Sequence, residues 1–269
     1  MASRVAILGL GMIGGSLGLA LTQAGDLEVA GCDRDQETKE KALQMGAVNR
    51  IGGLRELAAW ADVLFLCTPV STIPRLAREV ACSCRPGCLL TDVGSTKQNI
   101  VEVFDSLAAN GVRGIGGHPM AGSERQGITG ADRYLFENAV YILTPGKFTS
   151  EDAVAEMRTL LGHTGAHIIT MDAETHDRLV ASVSHLPHLV ASALVNMLVG
   201  QDDALALAAS GFRDTTRVAS GDPELWTEIL LSNRWLLAGQ LESFIDSLGY
   251  LKSMLEEQRS RELLEFLTT

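Results

Sequence analysis

Positive charge is scarce in this 269-residue chain: 22 lysines and arginines stand against 33 aspartates and glutamates, a formal net charge of −11. That deficit excludes nucleic acid and anionic membrane as main partners. It leaves room for an anionic substrate, because a local pair of arginines overrides the global sign. Cysteines are few and odd in number, five, and no export signal precedes them: "MASRVAILGLG" runs straight into a strand pattern. They read as free thiols of a cytoplasmic protein. Cys82, Cys84 and Cys88 in "CSCRPGC" lack the second cysteine couple of a structural zinc site, so no metal is expected. The longest apolar stretch, residues 189–200, is interrupted by Ser192 and Asn196 and is too short for a bilayer. Internal repeats and low-complexity linkers are missing too. So is any convincing strand after residue 171.

What is present divides into two textures. Up to residue 171, short β-rich runs alternate with helical stretches: "RVAILGLG", "LEVAGCD", "ADVLFLCTP", "GCLLTDVGS", "VRGIGGHP", "AVYILTP" and "AHIITM". Several are unbroken apolar runs, which suits strands buried on both faces, and the alternation implies a doubly wound parallel α/β sheet. Residues 172–269 are all-helical. "AETHDRLVASVSHLPHLVASALVNMLVG" is one long apolar helix, kinked near Pro187. Asp222-Pro223-Glu224 starts another, expected to run to about Ser247. Leu225, Trp226, Ile229, Leu230, Trp235, Leu236 and Leu237 give that helix more apolar surface than a solvated helix needs, which predicts a subunit interface.

The first chemical signal is Gly9-Leu10-Gly11-Met12-Ile13-Gly14. It follows an apolar strand and opens a helix, and the next strand ends in Asp33-Arg34. Gly9 permits the tight turn, Gly11 lets backbone approach a pyrophosphate, Gly14 lets helix and strand pack, and the helix N-terminus at Met12 and Ile13 faces the phosphates. Asp33 is placed to accept hydrogen bonds from the adenosine ribose, so the pattern predicts NAD. Arg34 keeps NADP possible, since it can pair with a 2′-phosphate.

The second signal lies at later strand ends, where open parallel sheets bind ligands. Thr68-Pro69 follows one strand, Ser95 another, and His118 a third. His118 stands where nicotinamide and substrate should meet. Its neighbours Gly116, Gly117, Ala121 and Gly122 are small, as if leaving room for a ligand. A histidine capping a strand-to-loop turn would also satisfy the local sequence. Beside a dinucleotide fingerprint, the catalytic reading is preferred.

The third signal is "SGFRDTTRVASGDPELW", where Arg213 and Arg217 are four apart and share a helical face. The planar guanidinium suits carboxylate recognition. Surface arginines paired with acids such as Asp214 are the alternative.

Taken together, "GLGMIGGSL", "LCTPV", "TDVGSTK", "GGHPMAGSE", "SHLPH" and "SGFRDTTRVASGDPELW" resemble the prephenate/arogenate dehydrogenase family of tyrosine biosynthesis. The resemblance spans residues 9 to 226. It implies a Rossmann-type domain, residues 1–171, followed by a helical dimerisation domain, residues 172–269. It also implies oxidative decarboxylation of a cyclohexadienyl acid by a homodimer. Within it, His118 matches the catalytic histidine and Ser95 a serine that contacts the substrate hydroxyl and orients that histidine. Arg217 matches the arginine that binds the ring carboxylate, and His188 a substrate-side histidine. Arg213 is a further substrate-side candidate. Prephenate is the expected substrate and arogenate the alternative. Many members carry a regulatory domain after the helical region, or a fused chorismate mutase; this sequence stops at Thr269, so any feedback by tyrosine is expected at the active site.

Two rivals remain at this point. β-Hydroxyacid dehydrogenases share the glycine-rich opening and a helical second domain, but use a lysine on its glycine-containing helix; residues 172–200 contain no lysine. A non-enzymatic nucleotide sensor would give His118 and Ser95 no reason to converge.

Overall fold

Val5 and Ile7 of the first strand pack on one face of a sheet, Ala6 and Leu8 on the other. Burial on both faces is why such strands are apolar throughout rather than alternating. In the computed structural model, which describes residues 4–122 and 125–268, this sheet has eight strands among the described residues. They are β1 (Arg4–Leu8), β2 (Glu28–Cys32), β3 (Arg50–Ile51), β4 (Val63–Leu66), β5 (Leu89–Asp92), β6 (Arg113–Pro119), β7 (Val140–Pro145) and β8 (His167–Thr170). Ser123 and Glu124, which end the "GGHPMAGSE" block, lie outside the described residues. The strand order is β3-β2-β1-β4-β5-β6-β7-β8. It reverses between β1 and β4, and the crevice for a ligand opens at the carboxyl ends of these strands.

The α/β sheet followed by helices is the fold class expected from the sequence. Two details differ. β3 is only two residues long, too short to leave a period in the sequence. β7 runs antiparallel to β6, with His118 opposite Ile142, whereas every other pair is parallel. A parallel return needs a crossover of a dozen or more residues, usually a helix. Among the described residues of 120–139 the only helical element is the 3-10 turn Ile128–Gly130, and the chain comes back alongside β6.

The chain forms two compact units. One comprises Met1–Asp177 with Gly221–Ser232, the other Arg178–Ser220 with Asn233–Thr269. The sequence expectation divides the chain once, between residues 171 and 172; the units cross that line because of particular side chains. Ile229 and Trp226 pack into the first unit's core. Thr96 donates to Ser232 at 3.0 Å, Ser71 to Glu228 at 2.6 Å and Gln126 to Asp222 at 2.8 Å. The helix opened by Asp222, whose carboxylate accepts from the backbone N–H of Glu224 and Leu225, is Pro223–Ser232 and stops well before Ser247. Asn233 leaves helical geometry (φ −114°, ψ 21°), and its buried amide lies 3.2 Å from Nδ1 of His185. A new helix, Arg234–Glu256, starts there. Part of the apolar surplus assigned to an interface is therefore buried within the first unit, at Ile229. Trp235 is 78% exposed.

Residues 173–196 form one 24-residue helix, as the sequence pattern predicts, ending four residues short of Gly200. By length and composition alone it could cross a bilayer. Its first turn carries the buried His176 and Asp177, both engaged in protein hydrogen bonds. Ahead of Pro187 it widens into a π turn, Ala181–His185, where the Leu186 N–H donates to the Ala181 carbonyl. A proline removes one i→i−4 bond, and a π turn is one way to absorb the misfit without ending the helix.

Candidate active site

At the carboxyl end of β1, side chains have been removed for two different reasons. Gly9 has φ of +98°, and a Cβ there would lie 2.3 Å from the Cys67 carbonyl oxygen; one on Gly14 would lie 2.0 Å from the Gly9 oxygen. These glycines are demanded by the protein's own backbone. Gly11 is not: a Cβ there would meet nothing within 4 Å. It caps the helix Met12–Leu21, which has no side-chain cap and no acid in its first turn. Open space beside an N-terminus carrying partial positive charge fits a pyrophosphate. Ile13 packs on the core. Asp33 is already held: its Oδ2 accepts from the Leu10 N–H at 2.8 Å and its Oδ1 from the Asp35 N–H at 3.0 Å. The carboxylate is thus fixed against the loop, while Arg34 beside it is exposed. On the neighbouring strand end, the Thr68 hydroxyl accepts from Thr72 at 2.8 Å, and the Pro69 carbonyl accepts from the Thr72 N–H at 2.9 Å.

Three strands away, the carboxyl end of β6 is crowded with side chains. His118 is 8% exposed. The small residues before it do not make room for a ligand, as the sequence suggested. A Cβ on Gly116 would lie 2.1 Å from Thr144 Oγ1, and one on Gly117 would lie 2.5 Å from the Asp92 carbonyl oxygen and 3.0 Å from the Tyr141 hydroxyl. Side chains and backbone of β5 and β7 fill that space. Gly122 does face open space.

Beneath His118 lies a buried ion pair that the sequence did not disclose. Lys97 and Asp92, both fully buried, are in direct contact. The ammonium also donates to the Gly117 carbonyl at 2.7 Å, and Asp92 accepts from the N–H of Gly117 at 3.1 Å and of Gly94 at 2.8 Å. Burial pushes Asp92 up and Lys97 down, and their mutual attraction opposes both shifts. The pair clamps the residue before His118 to the end of β5. Ser95, in the turn after β5, is half-buried.

His118 itself is oriented from elsewhere. Its Nδ1 lies 2.8 Å from Nε2 of His176, with the rings tilted at 67°. Nδ1 of His176 lies 2.7 Å from Asp177 Oδ1. Asp177 also accepts from the backbone N–H of Lys97 at 2.7 Å and of Gln98 at 2.9 Å. The helix Gln98–Leu107 has no side-chain cap of its own, and Asp177 supplies that cap from far along the chain. Sequence reasoning missed His176 and Asp177. The available signal was a His-Asp dipeptide in the first turn of an otherwise apolar helix.

In the second unit, His188 bonds the 3-10 turn Arg217–Ser220, which begins with Arg217. His188 is buried and hydrogen-bonded to the backbone of Val218, the residue after Arg217; burial pushes its imidazole down, toward the neutral form. Arg213 lies in the helix Ser210–Thr216 and Arg217 continues its helical backbone, so the two keep one face, and both are exposed.

A dinucleotide cradle at one strand end and a hydrogen-bonded histidine at another place the chain among the dinucleotide-dependent dehydrogenases. A family model for the nucleotide-binding domain of prephenate dehydrogenase matches residues 17–170, and one for the prephenate dehydrogenase dimerization domain matches residues 172–269. The chain is 35% identical to the prephenate dehydrogenase of Bacillus subtilis, over 100% of its own length and 74% of that protein's. Its structure resembles Synechocystis arogenate dehydrogenase (TM-score 0.87, 36% identity, 98% of this chain and 96% of that one). It also resembles A. aeolicus prephenate dehydrogenase in complex with hydroxyphenyl propionate and NAD+ (TM-score 0.91, 31% identity, 99% and 95%). The chain belongs to the prephenate dehydrogenase family, and it is an oxidoreductase.

Proposed function

We propose that the protein is an NAD-dependent prephenate dehydrogenase, converting prephenate to 4-hydroxyphenylpyruvate and carbon dioxide. The observation that carries this is the buried His118 at the end of β6, on the same sheet edge as the open cradle at Gly11. Asp33, fixed by the loop N–H groups, accepts from the adenosine ribose. NAD, when bound, supplies the acceptor for hydride leaving the ring carbinol carbon. His118 takes the hydroxyl proton as that hydride departs. Ser95 hydrogen-bonds the same hydroxyl. Loss of the ring carboxylate as carbon dioxide then leaves an aromatic phenol, which makes the sequence strongly downhill. Arg217 holds the ring carboxylate by paired hydrogen bonds, His188 stands beside it on the substrate side, and Arg213 is a further contact. Resemblance to the family supports each of these assignments.

The likeness to an arogenate dehydrogenase, at 36% identity, favours a second substrate reading. Prephenate and arogenate differ only in the side chain, a keto acid in one and an amino acid in the other. Following NADH absorbance with each substrate decides between them; turnover of arogenate far above that of prephenate would replace the first reading with the second.

The working form is a homodimer built through the helical domain. Support comes from the match to a dimerization domain and from the second unit's exposed apolar side chains, among them Val183, Met197, Leu207 and Trp235. All five cysteines are free, in keeping with the cytoplasm. Sedimentation at micromolar concentration should show the dimer; a fully active monomer would overturn it.

A further inference from the structure

The hydrogen bonds from Asp177 to His118 have a direction. Both carboxylate oxygens of Asp177 accept from backbone N–H groups that can only donate, those of Lys97 and Gln98. The 2.7 Å contact to His176 Nδ1 is therefore made by an N–H on that nitrogen. A neutral His176 then carries its lone pair on Nε2, 2.8 Å from His118 Nδ1. That bond needs a hydrogen, and only His118 Nδ1 can supply it. His118 is left with its lone pair on Nε2.

We infer that His176 and Asp177 are positioning residues that hold His118 in the Nδ1–H tautomer, so that Nε2 is the basic atom of the reaction. The inference rests on the proposed role of His118 as the base. When Nε2 takes the hydroxyl proton, His118 becomes an imidazolium whose Nδ1–H already faces an acceptor. The acceptor is backed in turn by a carboxylate. Neither residue touches the substrate in this scheme. Among the described residues, the charged and titratable groups hydrogen-bonded around His176 include His118 on β6 and Asp177 on its own helix, with Lys97 and Asp92 behind them. The Lys97 ammonium bonds Asp92 and the Gly117 carbonyl, and Asp177 is the carboxylate that hydrogen-bonds His176, so Asp177 backs the imidazolium through that ring.

The test joins a tautomer measurement to a variant series in the full-length protein. Long-range 15N–1H NMR of the imidazole nitrogens, with the His118 signals assigned by their loss in His118→Asn, should show the Nδ1–H tautomer in the cofactor-free wild type. His176→Ala should remove that bias. It should lower kcat about 10- to 100-fold, part of the range for a positioned base, with KM and NAD affinity within about twofold. The acid limb of kcat/KM should move to lower pH, since the protonated ring has lost its acceptor. His176→Gln keeps a carbonyl oxygen for the His118 Nδ1–H and should recover the tautomer and most of kcat. An Nε2–H tautomer in the wild type overturns the inference. So does a His176→Ala enzyme that loses activity only in step with its melting temperature, with an unchanged pH profile and no recovery in His176→Gln. If the wild type oxidises neither prephenate nor arogenate, the functional reading fails, and the tautomer signal still decides this one.

Discussion

Around β1 the structure works by leaving side chains out; around β6 it works by burying them. Gly9 and Gly14 let backbone segments close on one another, and Gly11 leaves open space at a helix N-terminus. His118, Asp92, Lys97, His176 and Asp177 are buried and hydrogen-bonded in two connected sets. The first arrangement suits a phosphate-bearing ligand, because phosphate recognition needs only N–H groups and a dipole. The second suits a single proton transfer, where one ring must face one way. A backbone site is local in sequence. A side-chain site need not be, and this one draws on residues from 92 to 177.

The sharpest way to separate the two regions is to remove the base. His118→Asn should lower kcat by about 10²- to 10⁴-fold and leave NAD affinity unchanged in calorimetry. Near-normal turnover would reduce His118 to a turn-capping residue. Next in size is the buried pair. Lys97→Met strands Asp92 in the interior and should cost about 3–5 kcal/mol of stability, read from the urea midpoint. The deficit should depend on pH in a definite sense. Burial pushes Asp92 up, and the variant lacks the ammonium that opposes this shift. Its carboxyl then takes up a proton on folding, a contribution present at low pH and lost as pH rises. The variant should therefore approach wild-type stability as pH falls toward the ordinary carboxylate range.

The glycine loop should respond in two ways. Gly14→Ala forces a methyl against the Gly9 carbonyl and should lower the melting temperature and NAD affinity together. Gly11→Ala has nothing in the protein to strike, so it should fold normally and lose only NAD affinity. Equal thermal losses in both would mean that Gly11 is structural after all. The smallest effect is expected at the ribose. Asp33→Ser removes the charge that repels a 2′-phosphate and leaves the exposed Arg34, so the ratio of kcat/KM values should shift toward NADP. A wild type that already prefers NADP would show that Arg34 dominates.

The same contrast explains what could be read before the structure. The glycine loop was legible because its parts are contiguous and in register: strand, Gly9 to Gly14, helix, strand, Asp33. His118 was legible as a strand end, yet the meaning of its glycine neighbours was not. Gly116 and Gly117 answer to Thr144, Tyr141 and the Asp92 backbone, on strands that no local pattern places beside them. The antiparallel course of β7 could have been inferred from a connection with no helical period. The end of a helix at Ser232 could not, because the residue that breaks it is an asparagine held by a histidine 48 positions earlier. His176 and Asp177 look like the polar side of a helix start until the N-terminus of Gln98–Leu107 is seen to need a cap.

No single cut separates the two units. A fragment ending at residue 177 would lack residues 221–232, and with them Ile229, Trp226 and the partners of Ser71, Thr96 and Gln126. It would carry an open apolar notch where a helix belongs. Chimeras between relatives must therefore exchange that late segment together with the sheet, as a split gene would, or graft one enzyme's wedge into another's socket. A peptide of residues 221–232 added in trans is the natural complement of such a fragment.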